Sequence, residues 1–220
     1  SSDIVILLCL TKKNVGYKGI SAFIVEKTFD GLTTGNKENK LGIRGSDTCE
    51  IYFDNCKVPS ENLIASEGEG FKIALDILNG GRIGIATQAL GIAQESLDRS
   101  IQYDKEREQF GKRISDFGII QSKIANMAIK NEASRLLIHK AAILKDKGFE
   151  FSKEASMAKH FSSEAAISNA LECVQIFGGY GYVKETGVER LMRDAKITQI
   201  YEGTSEIQEK VIAKSLLKGD

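Results

Sequence analysis

With 220 residues, 42% of them apolar and 27% charged, the chain has an ordinary globular composition and enough length for one large domain or two small ones. Its 30 basic and 30 acidic side chains cancel, which removes any broad electrostatic case for nucleic acid or an acidic membrane surface. No apolar run approaches the roughly 20 residues needed to insert across a bilayer. The opening SSDIVILLCL has neither the charged start nor the cleavage site of a signal peptide. It lacks a Met and moves at once into a strand-like run, as expected of a chain cut within a domain.

Over residues 1–65, DIVILLCL, ISAFIVE and CEIYFDN read as strands rich in Ile, Val, Phe and Tyr. The first two are apolar on both faces, which predicts a buried sheet. The third alternates, with Cys49, Ile51 and Phe53 on one face and Glu50, Tyr52 and Asp54 on the other, so one face should be wet. The glycine- and asparagine-bearing TFDGLTTGNKENK reads as a connection, and the sole proline, Pro59, marks the exit from the last strand. A few strands bury too little surface to offset their ordering entropy. Partner strands are therefore expected upstream.

From residue 66 the period becomes helical. Ala86, Leu90, Ala93 and Leu97 recur at helix spacing, as do Ile120, Ile124 and Met127, then Leu137, Ala141 and Leu144. Ala155, Ala158, Phe161 and Ala165 form a further stripe, and Ile207, Val211 and Ile212 the last. Glycines and charge-rich turns mark the corners. The fold class predicted is α+β: a partial β-domain over 1–65 and an antiparallel four-helix bundle over 66–220.

Cys9, Cys49, Cys56 and Cys173 have no paired or regular spacing, which suits a reduced intracellular compartment better than a disulfide framework. His139 and His160 have no ligand-like neighbours, so no metal and no Cys–His or Ser–His nucleophile is expected.

Four stretches carry candidate chemistry. LNGGRIGIA places Asn79, Gly80, Gly81 and Arg82 inside a helical pattern, where each glycine costs about 1 kcal/mol relative to Ala. That cost points to tight packing or to a ligand against the backbone. YDKEREQFG carries Arg107 at a helix end, either as solvated surface or as a bidentate pyrophosphate ligand. QIFGGYGY ends a helix at Gly178 and Gly179, as a glycine cap or as exposed N–H groups for a phosphate. No strand precedes it and its spacing is not that of a Rossmann fingerprint. QIYEGTSEIQ puts Glu202 before a helix start. Ser205 and Gln208 there make a capping-box pattern, and Glu202 is either a partner of the helix dipole or a base withdrawn from water.

Taken in order, KLGIRGSDT, GRIGIA, YDKEREQFGK, QIFGGYGYVKE and RDAKITQIYEGTSEIQ resemble the acyl-CoA dehydrogenase family of flavoproteins along essentially the whole chain, closest to its short-chain, butyryl-CoA-type members. The resemblance implies a homotetrameric enzyme with an N-terminal helical domain, a middle β-domain and a C-terminal four-helix bundle. This chain would hold the second half of the β-domain and all of the bundle.

By the same resemblance, Glu202 would remove the α-proton of an acyl-CoA while the β-hydrogen leaves as hydride to the flavin N5, giving trans-2-enoyl-CoA. Electron-transferring flavoprotein would then reoxidise the FAD. Arg107, Gln175, Ile176, Phe177, Gly178 and Gly179 would contact the adenine and pyrophosphate of FAD on a neighbouring subunit. Thr204, Ser205 and Glu206 would face FAD at the last helix, and Asn79, Gly80, Gly81, Arg82 and Gly203 would line the acyl-CoA path. Isovaleryl-type members carry their base just before the Arg matching Arg82. That position here is Gly81, so no second base competes. Gly118 and Asn79 depart from the pattern, where many relatives have a glutamine and an acidic residue. An acyl-CoA oxidase, or a non-catalytic oligomerisation module, are the competing readings. The compartment expected is a bacterial cytoplasm or the mitochondrial matrix.

Overall fold

The computed structural model describes residues 2–217 and divides into two compact units. The first runs to Leu78 without Leu41–Ile43; the second takes those three residues and everything from Asn79 onward.

In the first unit β1 (Ile4–Leu10), β2 (Ile20–Glu26) and β5 (Leu63–Ile64) form an antiparallel sheet in the order β1-β2-β5. Ile4 pairs with Glu26 and Leu10 with Ile20. The buried sheet expected from the sequence is realised at β2, where Ser21, Ala22 and Val25 have no exposed surface. It is not realised at β1, whose row Ile4, Ile6, Leu8 and Leu10 stays about half exposed. β1 is a sheet edge, and no layer among the described residues covers that row.

A second antiparallel pair joins β3 (Leu32–Lys37) to β4 (Cys49–Phe53), with an irregular register between Thr34 and Lys37. β3 occupies the stretch read from the sequence as a connection. Its local propensity is poor, but pairing of Thr33 with Tyr52 and Thr34 with Ile51 decides the conformation.

The second unit is built on α1 (Gly70–Glu106) from Asn79 onward, α2 (Gly118–Asp146), α3 (Ser152–Phe177), α4 (Val188–Ile197) and α5 (Ser205–Leu217). Its core lies in three levels. Leu97, Met127 and Ile176 share one level; Ala86, Leu90, Ile138 and Ala158 share another; Ala89, Ala93, Ala166, Ala170, Leu191 and Ala195 make the third. Between the first two levels α1 and α3 run one way and α2 the other, the antiparallel bundle that the stripes predict. Alanine at so many contact positions lets the helices approach closely around α3, with little side-chain entropy lost.

Between α1 and α2 a two-residue turn at Phe110 (φ 55°) and Gly111 (φ 80°) joins β6 (Glu108–Gln109) to β7 (Lys112–Arg113). Positive φ at both central residues is the geometry that suits the twist of a tight hairpin.

Candidate active site

Glu202 sits in the loop between α4 and α5. The chain leaves α4 through tight turns, with Ile200 N–H and Tyr201 N–H both donating to Ile197 O, and the Tyr201 hydroxyl then donates to Gln88 Oε1 on α1. Glu202 and Gly203 follow in the left-handed region, at φ 54° and 90°. Ser205 N–H closes the loop on Gln199 O at 3.0 Å. A side-chain-bearing residue at this φ costs roughly 1–2 kcal/mol, so the surroundings must hold it. Gln208, fully buried on α5, does part of that work. Its amide nitrogen donates to Glu202 O at 3.2 Å and to Gly203 O at 2.9 Å.

This corrects the capping box expected from the sequence. The Gln208 side chain serves the loop carbonyls, and the Ser205 hydroxyl turns to Glu164 Oε1 at 3.3 Å. The first-turn carboxylate that is stabilised is Glu206, held below its usual range first by the Thr204 hydroxyl and then by its own backbone N–H.

The left-handed turn brings the Glu202 carboxylate against α1 at Gly81. A Cβ built on Gly81 would lie 2.5 Å from Glu202 Oε2 and 2.9 Å from its Cδ. Gly81 thus leaves α1 as bare backbone where the acid lies, while Gly80 faces Lys145, whose Nζ would lie 3.1 Å from a Cβ built there. Glu202 Oε2 is buried and has no hydrogen-bond partner. Arg82 Nε and Gln208 Oε1 are buried and unpartnered as well. Orphaned polar atoms gathered at one place are costly in a finished core and mark a place where a ligand or its water completes the bonding.

Arg82, next to Gly81, is buried and donates through Nη1 to Asn79 Oδ1 at 2.9 Å and to Ser156 Oγ at 3.3 Å. Asn79 also accepts from Ser152 Oγ at 3.1 Å. Asn79 therefore orients the guanidinium. Burial pulls Arg82 down from its ordinary range, and the Glu202 charge acts in the opposite sense.

Lys159 was not singled out from the sequence. It is fully buried on α3, and its ammonium donates to Gly203 O at 2.6 Å. Its neighbours one turn away, Ala155, Ser156, Ser162 and Ser163, are all small and buried. That ring of small residues around a lysine was the available signal.

The cofactor candidates fall in two places. Arg107, Ile176, Phe177, Gly178 and Gly179 line one cleft of about 470 Å³, together with Tyr103, Ile114 and Tyr180. Tyr103 and Phe177 stack at 4.1 Å with an interplanar angle of 14°, and the Arg107 guanidinium lies 5.7 Å from the Tyr180 ring centroid. Gly178 (φ 60°) ends α3, donating its N–H to Gln175 O, and the Gln175 side chain is exposed outside the cleft. Thr204, Ser205 and Glu206 line a separate hollow of about 190 Å³ with Lys196, Gln199 and Glu164. Two carboxylates face one ammonium there and the Ser205 N–H is already bonded. The hollow is therefore better matched to hydroxyl groups than to the phosphate expected at a helix start. Gly118, the departure noted above, opens α2 after Phe117 with no side-chain cap.

These residues fit the adenine and pyrophosphate portion of FAD. The cleft offers a guanidinium for charge and flat aromatic rings for stacking. At Gly178 and Gly179 an added Cβ would meet nothing within 4 Å, so the backbone is open to close approach. Among the described residues no cluster of His, Cys, Asp or Glu could hold a metal, and no helix is long and apolar enough to cross a membrane.

The family described as acyl-CoA dehydrogenase, middle domain, matches residues 1–56, and acyl-CoA dehydrogenase, C-terminal domain, matches residues 68–217. An acyl-CoA dehydrogenase of Bacillus subtilis is 55% identical over 219 residues, which cover 100% of this chain and 58% of that relative. The solved structure of butyryl-CoA dehydrogenase from Megasphaera elsdenii matches with a TM-score of 0.97 and 50% identity, covering 99% of this chain and 57% of the other. A structure described as electron transferring flavoprotein of Acidaminococcus fermentans, concerned with flavin-based electron bifurcation, gives a TM-score of 0.98 at 49% identity over 100% of this chain and 58% of that one. The chain thus spans a little under three-fifths of the relatives it matches. Both domain families matched in order, on a backbone that superposes closely on solved members, place the result beyond resemblance: this chain belongs to the acyl-CoA dehydrogenase family.

Proposed function

We propose that the protein to which this chain belongs oxidises a short-chain acyl-CoA to its trans-2-enoyl-CoA, with Glu202 as the base that takes the α-proton. The observation that carries this reading is the unpartnered, buried Glu202 Oε2 held against the bare backbone of Gly81. A carboxylate oxygen with no internal donor and a glycine beside it is placed to accept a proton from a carbon that slides along α1. The α-carbon of a thioester is a weak acid, so negative charge developing on the thioester oxygen must meet a fixed donor. The Glu202 N–H is used by no bond within the loop among the described residues and serves that purpose. Arg82, fixed by Asn79 and Ser156, keeps a positive charge beside the carboxylate, and Gly203 leaves room at the turn.

FAD would be held by Arg107 with Ile176, Phe177, Gly178 and Gly179 of one copy and by Thr204, Ser205 and Glu206 of another, and would supply the hydride acceptor for the β-hydrogen. We assign electron-transferring flavoprotein as the oxidant of the reduced enzyme. The close match to a structure described under that name supports this assignment. A homotetramer is supported by an exposed apolar row on α2, Ile129, Leu136 and Ile143, which are 65%, 61% and 52% exposed at heptad spacing. The site of action proposed is a bacterial cytoplasm or the mitochondrial matrix. Anaerobic addition of butyryl-CoA to the flavin-loaded product of the full reading frame tests the assignment. Flavin should bleach rapidly in the wild type, and Glu202→Gln should bind butyryl-CoA without bleaching. Equal bleaching by the variant removes Glu202 from the chemistry.

A further inference from the structure

We propose that Lys159 is the positioning residue of the base loop: its buried ammonium clamps the Gly203 carbonyl and so keeps the Glu202 carboxylate against Gly81. The inference rests on the reading of Glu202 as base and adds the group that aims it. The loop has two consecutive left-handed residues, and its two carbonyls are what the surroundings grip. Gln208 reaches both from α5. Lys159 reaches Gly203 O from α3, the helix around which the bundle packs, at the shorter distance of 2.6 Å. The clamp thus ties a strained turn to the helix on which α2, α4 and α5 all pack.

Stability does not account for this lysine. A fully buried ammonium whose bond is to one neutral carbonyl is poorly compensated for its lost hydration, whereas a methionine would fill the same volume uncharged. Burial, and after it the Arg82 charge, draw the Lys159 ammonium down to about 8, while Glu202, Glu164 and Glu206 act the other way. Gly203 O would keep a donor from Gln208 if Lys159 were lost, so removal leaves no orphaned carbonyl. A group that is costly to bury, replaceable for packing, and bonded to the turn that carries the base is accounted for by aiming that base.

The test uses the flavin-loaded product of the full reading frame, with Lys159→Met, Lys159→Gln and Glu202→Gln side by side. Lys159→Met should lower the limiting rate of anaerobic flavin reduction by butyryl-CoA roughly 10–100-fold, the scale of a misplacement near 1 Å. The butyryl-CoA dissociation constant should stay within about twofold. Its thermal midpoint should equal or exceed that of the wild type, and faster amide exchange should be confined to peptides covering residues 199–208. Lys159→Gln, which keeps a donor, should recover part of the rate. Wild-type reduction by Lys159→Met overturns the proposal. So does a lost rate accompanied by a lower midpoint and faster exchange across the helical unit, the mark of a purely structural lysine. If Glu202→Gln reduces its flavin normally, the base assignment falls instead, and the exchange measurement still reports whether Lys159 holds the loop.

Discussion

Gly81→Ala separates fold from chemistry at one atom. In the interior of α1 the added methyl group should raise helix stability by about 1 kcal/mol. That methyl would lie 2.5 Å from Glu202 Oε2, whereas ordinary contact begins at 3.4 Å, so the carboxylate must retreat by about 0.9 Å. A carboxylate at the end of a flexible side chain can yield that far at small cost, and the thermal midpoint should hold or rise. The proton transfer cannot yield so easily. A displacement near 1 Å costs about 10²-fold in rate, or about 2.7 kcal/mol of barrier. Stopped-flow flavin reduction with butyryl-CoA, read with differential scanning calorimetry on the same preparation, measures both quantities. Reduction at the wild-type rate would refute the placement of the base against Gly81. A rate loss that vanishes at saturating butyryl-CoA would show instead that the methyl group obstructs binding.

Asp104 is 3% exposed, neither of its oxygens has a hydrogen-bond partner, and burial pushes its carboxyl up from 3.8 to about 6. A raised folded-state value means that stability falls as pH rises from the unfolded value through the folded one, with a full cost of roughly 3 kcal/mol present at pH 7. Asp104→Asn should therefore have the higher thermal midpoint at pH 7, with the gap shrinking by roughly 1 kcal/mol at pH 5; a gap that does not change with pH removes the buried charge as its cause. Arg107→Met should weaken FAD retention by roughly 10-fold or more, the scale of one lost charge-assisted bond, measured as flavin per chain after gel filtration. Undiminished retention takes Arg107 out of the cofactor cleft's work. Leu136→Glu places a charge in the exposed apolar row of α2 and should shift sedimentation to smaller species with the helical content intact; an unchanged tetramer puts the interface elsewhere.

The helices were legible because α1, α2 and α3 bury continuous stripes, and Ala86, Leu90, Ala158 and Ala165 keep their period without a proline to interrupt it. β3 was not legible, since Leu32–Lys37 owes its conformation to partners 12 to 21 residues away and its own glycine and asparagine argue against a strand. The half-exposed row of β1 escaped for a related reason: an apolar residue shows what it could bury, and its cover can lie outside the described residues. At the site, Glu202, Gly81 and Arg82 could be named individually, but their approach across α1 and the last loop is a product of chain folding. Lys159 was passed over because a charged side chain beside an alanine stripe reads as its rim, and Gln208 was read as half of a capping box because its spacing from Ser205 fits one. Only the fold reveals that α3 is enclosed on that side as well.

The length of α1 has one more consequence. Gly81, which faces the base, and Tyr103, which walls the aromatic cleft, stand 22 residues apart on this one helix, a separation of roughly 33 Å at 1.5 Å per residue. On the flavin contacts proposed above, the two ends of a single copy would then serve two different flavins, and catalytic competence would be a property of neighbours. Copies disabled at Glu202, mixed with copies disabled in the cleft, would assemble hybrids in which some sites inherit a sound half from each parent.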